Sequence, residues 1–144
     1  MQQIRDLVKE DPQAIWLVAD MAYPATNIPA MAGADCLNTT QTYPQKIRWE
    51  MLNQEGEYED IYNRYCHIRA SLGSKTMLEL VSTDYVEVTL SPEDLKKLNI
   101  RYIVSTNDFD EKIAAGTTNI FTDSGIEFQK YYEGTQLSIY GCVY

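Results

Sequence analysis

The chain has 144 residues, 44% hydrophobic and 11% aromatic, enough to bury a core and too apolar for a disordered polymer. A net charge of −9, from 21 acidic against 12 basic residues, excludes the concentrated basic surface that nucleic acid requires and a basic patch for anionic lipid. No apolar run approaches the roughly 20 residues of a membrane helix, and "MQQIRDLVKEDP" lacks the apolar centre of a signal peptide.

Residues 4–10 read as a short helix, and "AIWLVAD" (14–20) as a buried strand ending at Asp20. The stretch to residue 42 is rich in Pro, Asn, Gly and Thr and reads as loop, with one helical turn at "IPAMAG". Thr42 followed by Gln45 has the form of a capping box, with Pro44 in the first turn. The helix expected from it runs to about Asn53 and carries Tyr43, Ile47 and Met51 on one stripe. "NQEGE" then breaks the chain, and a further helix is expected from Tyr58 to Leu72.

"TMLELVS" and "YVEVTL" read as two β segments turning at Thr83-Asp84. Ser91-Pro92-Glu93-Asp94 combines a cap, a proline at the first helical position and two acids suited to the dipole. That helix ends near Leu98, before the buried strand "IRYIVST". "DEKIAAG" reads as a short helix closed by Gly116, and "GIEFQKYY" and "LSIYGCVY" as a terminal hairpin turning across residues 133–136. The sum is an α/β or α+β fold, a mixed sheet flanked by short helices with a C-terminal β-hairpin. Two helix-to-strand units, 4–20 and 92–106, place Asp20 and Asn107 just beyond buried strands. If those strands are parallel, both residues lie on the edge where such sheets take ligands; otherwise they cap the next loop or helix.

"YNRYCHIRASL" (62–72) contains the one histidine and one of three cysteines. On a helix, Tyr58, Ile61, Tyr65, Ile68 and Leu72 share the core arc, and Asp60, Asn63, Arg64 and His67 the opposite one. Tyr62 lies on the flank. Cys66 and His67, about 100° apart, cannot serve one metal or form a nucleophile–base pair. The polar arc contains two i,i+4 pairs, Asp60 with Arg64 and Asn63 with His67. It reads either as a self-paired solvated face or as the wall of a groove packed on the 20–42 loop.

Cys36, Cys66 and Cys142 are odd in number, widely spaced and without a Cys-x-x-Cys, which argues against a zinc site and favours three buried thiols over the alternative of one disulfide. Asn38-Thr39-Thr40 is a glycosylation sequon. No serine-hydrolase elbow, Walker loop or dinucleotide fingerprint occurs, so no catalytic residue, metal or cofactor is assigned. Eleven tyrosines against three phenylalanines suit a half-wet binding surface.

"NIPAMAGADCLNTTQTYP", "YNRYCHI" and "LKKLNIRYIVST" with the closing "LSIYGCVY" resemble the soluble extracytoplasmic domain of large bacterial polytopic membrane proteins of the YfhO-like, GT-C glycosyltransferase-related kind. The resemblance spans residues 14–144. It implies a parent that transfers sugars from a polyprenyl-phosphate carrier outside the membrane, with its catalytic acid in a loop that lies elsewhere. Both ends read as cut, since Met1 opens almost directly into a helix and strand character persists to Tyr144. Residues 1–144 are thus expected to form one non-catalytic domain at the extracytoplasmic face. Its expected partners are cell-envelope glycan and the transmembrane part of its own parent. The surface expected to meet glycan is Asp20, Tyr23, Asn38, Tyr62, Asn63, Arg64, His67 and Asn107. Two rival readings are a free-standing hydrolase with a carboxylate or histidine site, and a protein–protein module using Tyr131, Tyr132 and Tyr140.

Overall fold

The computed structural model describes residues 1–52 and 55–144. Asn53 and Gln54, where the helix opening near Thr42 is expected to end and the break to begin, lie outside the described residues. Helix α1 (Gln2–Glu10) leads into strand β1 (Ile15–Val18), which is followed by the short helix α2 (Ile28–Met31) and strand β2 (Asp35–Cys36). Helices α3 (Lys46–Leu52) and α4 (Glu59–Tyr62) precede three strands, β3 (His67–Leu72), β4 (Met77–Ser82) and β5 (Tyr85–Leu90). Helix α5 (Pro92–Lys97) feeds β6 (Ile100–Ser105), and α6 (Asp108–Ala114) and α7 (Asn119–Asp123) lead to the hairpin β7 (Glu127–Glu133) and β8 (Ser138–Val143).

The strands form two mixed sheets, one ordered β2-β1-β6-β8-β7 and one ordered β3-β5-β4. This is the α+β architecture expected, with the C-terminal hairpin in place. Strands β1 and β6 are parallel, the alternative the sequence leaves open for the two helix-to-strand units, and β8 closes antiparallel on β6. β1 is apolar on both faces because both faces are covered. Leu17 and Ala19 join a large core with Trp49, Ile68, Val86, Leu95 and Phe109. Trp16 and Val18 enter a smaller one with Ile4, Cys36, Tyr102 and Ile139. Three sequence signals hold in detail. Thr83-Asp84 forms the β4–β5 turn; Ser91 and Asp94 complete a reciprocal capping box at α5; Gly116, at φ +75°, follows the end of α6.

Two expectations fail. The helix from Tyr58 to Leu72 stops after Tyr62, and residues 67–72 are strand β3, in six-residue parallel register with β5. Cys66, Ile68 and Ala70 are buried while His67, Arg69 and Ser71 are half-exposed, an alternation of period two. Pairing along a whole strand outweighs a weak local helical preference. Tyr65, expected in the core, is 51% exposed. The capping box at Thr42 also fails, because α3 begins only at Lys46. Gln41 is held extended by a two-way backbone exchange with Cys66, and Pro44 disfavours helical backbone at Tyr43. The stripe reverses accordingly. Tyr43 and Ile47 are 85% and 78% exposed, and the buried side of α3 is Trp49 and Leu52.

One junction joins the sheets. Along one edge of β1 the partner changes from β2 to β3. Ile15 and Trp16 pair with Asp35 and Cys36, and the Leu37 N–H donates to the Trp16 carbonyl. At Val18 the partner is a side chain: the Asn38 amide accepts from the Val18 N–H at 2.9 Å and donates to the Val18 carbonyl at 2.8 Å. Its second donor contact reaches the Ile68 carbonyl of β3 at 3.4 Å. Two residues on, the Asp20 N–H bonds the Ala70 carbonyl, completing the hand-over. The amide stands in for a peptide unit, and backbone groups in a dry interior need such a partner. No helix among the described residues is long and apolar enough to cross a membrane.

Candidate functional site

The segment after β2, "LNTTQ" (37–41), connects the junction to the surface. Asn27, from the loop before α2, accepts from the Thr39 hydroxyl and the Thr40 N–H, each at 2.8 Å, and donates to the Thr40 hydroxyl at 3.0 Å. The Thr40 hydroxyl in turn lies 3.1 Å from Nδ1 of His67. Gln41, buried, donates to the carbonyls of Tyr62 and Arg64 at 2.7 and 2.8 Å and accepts from the Trp49 indole at 2.7 Å. This one carboxamide ties the chain turning out of α4 to helix α3. Each side chain of the segment fixes a neighbouring loop.

At the surface the fixed groups present an aromatic cluster. The Tyr23 ring lies over His67 with centroids 4.2 Å apart and a 35° tilt. Tyr65 meets the same imidazole edge-on at 5.6 Å. Tyr23 and Tyr65 are each 51% exposed, so each shows solvent a free ring area. His67 is anchored through its backbone N–H to the Asp84 carbonyl at 2.7 Å and stands across from Tyr85 in the β3–β5 register. His67 is thus mounted on a sheet, which holds geometry better than a loop does, and Tyr23 and Tyr65 pack on it from the connecting segments. Beyond them the outer face of the sheet continues as polar rows. Arg69 and Glu87 form an ion pair at 3.5 Å, and the Ser71 and Thr89 hydroxyls lie 3.5 Å apart. The result is a flat, half-wet surface with an aromatic end.

Of the eight residues expected at a ligand surface, the structure brings only Tyr23 and His67 together there. Asn38 is fully buried with its amide committed to the junction, and the sequon it heads offers no accessible acceptor nitrogen in the folded chain. Tyr62 is buried and stacked on Trp49 at 5.7 Å. Asn63 is exposed beyond the end of α4. Arg64 donates to the carbonyls of Ile61 at 2.9 Å, Asp60 at 2.6 Å and Thr83 at 3.2 Å. It neutralises the C-terminal end of α4 rather than pairing the Asp60 carboxylate, and the expected helical pair of Asn63 with His67 disappears with the helix. Asp20 and Asn107 do lie beyond the ends of the adjacent parallel strands β1 and β6. Asp20, at φ +61°, pairs with Lys112 of α6. Asn107 precedes α6 without capping it through its side chain. Instead it donates to the Gly134 and Thr135 carbonyls and accepts from Ser138 at 2.9 Å. Both brace the fold.

Tyr65 is the platform residue that the helical reading conceals, together with the placing of His67 across from Tyr85. The signal is present: polar and apolar residues alternate in "HIRASL" and "YVEVTL" alike.

Cys66 and His67 occupy opposite faces of a strand, so they remain apart for a different reason than helical geometry. Burial pushes the Cys66 thiol up to about 11 and the Cys36 and Cys142 thiols to about 12, far from thiolate at neutral pH. Among the described residues no three His, Cys, Asp or Glu side chains gather as a metal set would. Of the hairpin tyrosines, Tyr140 is buried and bonded to Asp110 at 3.0 Å, and Tyr131 is half-exposed, packed edge-on to Tyr102.

No curated protein and no solved structure matches the chain. A family profile covers its whole length, residues 1–144, and on that match the chain belongs to the family described as a domain of unknown function, DUF7654.

Proposed function

We propose that this chain is a non-catalytic extracytoplasmic domain of a membrane glycosyltransferase-like protein, and that it contacts glycan through the Tyr23–His67–Tyr65 platform. The observation that carries the reading is the exposed ring area of the two tyrosines, packed on an imidazole that meets the Thr40 hydroxyl and belongs to a residue whose backbone N–H is tied to the Asp84 carbonyl. A sugar ring offers apolar C–H groups on its faces and hydroxyls at its rim. An exposed aromatic cluster bordered by Arg69, Glu87, Ser71 and Thr89 complements both. Tyrosine serves well because it supplies large area at low conformational-entropy cost. The net charge of −9 favours a neutral ligand over a polyanion. The resemblance to the outer domains of sugar-transferring membrane proteins points the same way.

The test is titration of the isotope-labelled chain with soluble cell-envelope oligosaccharides, read out by amide and aromatic NMR shifts. Shifts centred on Tyr23, Tyr65, His67 and Tyr85, reduced in Tyr65→Ala, are expected. An unmoved spectrum across the panel leaves only a bracing role towards the parent's membrane part.

A further inference from the structure

A cleft of about 240 Å³ opens beside the same 35–42 segment. Its floor is apolar, made by the buried residues Cys36, Leu37 and Trp49. The indole N–H of Trp49 is already committed to Gln41 at 2.7 Å. Its walls are polar and partly unspent. Thr42 and Gln45 line it with a hydroxyl and a carboxamide that bond to no other described residue. Tyr43 lines it too, with a ring that is 85% exposed.

The remaining wall group, Arg48, decides the ligand's charge. Its guanidinium closes as a fork on the Asp35 carboxylate, with Nη1 to Oδ1 at 2.9 Å and Nη2 to Oδ2 as the second arm. An anion would have to displace Asp35 and approach a chain of net charge −9, and a cation would find that carboxylate already taken. A neutral ligand can use what is left, namely the groups of Thr42 and Gln45. The apolar floor and the Tyr43 ring require that the same ligand have an apolar face. A pyranose ring meets both demands.

Thr40 connects the two surfaces, because it lines the cleft and holds Nδ1 of His67 at 3.1 Å. We propose that the cleft is a second subsite that takes one neutral, hydroxyl-rich sugar ring, so that a bound glycan runs from the tyrosine platform across Thr40 into the cleft. The span rests on the platform reading; the cleft's preference for a neutral sugar rests on its own lining.

The experiment uses the full chain, isotope-labelled. It is titrated with neutral N-acetylglucosamine and maltose oligomers, from the single sugar to the tetramer, and with poly(glycerol phosphate) as the anionic control. The tetramer that binds shifts both Thr42–Gln45 and Tyr65–His67, and the single sugar binds more weakly. The surface double variant Thr42→Val/Gln45→Ala weakens the tetramer by about tenfold, the scale of two lost hydrogen bonds, while platform shifts persist. Platform shifts with affinity unchanged in that variant overturn the cleft subsite and leave the platform standing. Shifts confined to the cleft keep it as a sugar site and remove the platform and the span. Preference for poly(glycerol phosphate), or a silent cleft with every neutral oligomer, overturns the inference.

Discussion

Replacing Asn38 by alanine removes the piece that joins the two sheets. The amide satisfies one N–H and two carbonyls, those of Val18 and Ile68, at 2.9, 2.8 and 3.4 Å. The site is fully buried, so water cannot take over. An orphaned buried group costs roughly 1–3 kcal/mol. Counting only the two short bonds to Val18 gives about 2–6 kcal/mol, with a central value of about 4. That is about a quarter or more of the roughly 5–15 kcal/mol that stabilises a domain. With a urea slope of about 1–3 kcal/mol/M, the midpoint falls by about 2 M. Asn38→Asp is sharper because it keeps the shape. An ionised carboxylate there would face the Val18 carbonyl in a dry site, so its folded pKa must rise above the ordinary value of about 3.9. A raised folded pKa means stability present below the unfolded value and lost as pH rises through the folded one. The aspartate variant is therefore less destabilised at about pH 4 than at pH 7. Equilibrium urea denaturation at both pH values reads the effect. An alanine variant within about 1 kcal/mol of wild type, or an aspartate variant that tracks the wild-type pH profile, would refute the junction.

Asp94 accepts from the Ser91 N–H, the Ser91 hydroxyl and the Thr76 hydroxyl at 2.6–2.9 Å while 2% exposed. Asp94→Ala should cost roughly 2–4 kcal/mol and Ser91→Ala about 1, read as shifts in the denaturation midpoint. The three buried thiols, pushed up to about 11 and 12, should resist iodoacetamide at pH 8 in the native chain and react once it is unfolded. Above about pH 8.5 the unfolded thiols ionise while the folded ones stay neutral, so stability should decline with rising pH. Hydrogen bonding to Lys130, with help from Tyr140, holds the Asp110 carboxyl below its usual range against the opposing cost of burial. Its contribution is complete above the unfolded value of about 3.9 and disappears as pH falls through the lower folded value. Lys130→Ala should flatten that acid limb in a thermal-melt series, and an unchanged limb would dismiss the pairing.

Strands β1, β4, β5 and β6, the hairpin and the helix start at Ser91 are legible because each rests on local chemistry. Residues 58–72 are not, because their apolar positions satisfy two periods at once. Ile61, Ile68 and Leu72 fit a helical arc, while Ile68, Ala70 and Leu72 fit a strand. Only the partner strand β5, nearly twenty residues away in the chain, decides between them. The same local view conceals Asn38 and Gln41. Both look like loop polars in "DCLNTTQ", and nothing within the segment shows that each is a buried partner for distant backbone. The platform is half visible for that reason. Tyr23 and His67 stand out as chemistry, but a helical reading sends Tyr65 to a core that does not reach it.

The change of partners along β1 also bears on how the molecule comes apart. Two sheets with separate hydrogen-bond ladders would ordinarily be free to open one at a time. Here the chain leaving β1 bridges to β3 at Ala19 and Asp20, and segment 35–41 is stitched to each sheet, so neither can fray without exposing the other's backbone. Slow amide exchange should report one common opening for Val18, Ile68 and Val104, a molecule without a seam.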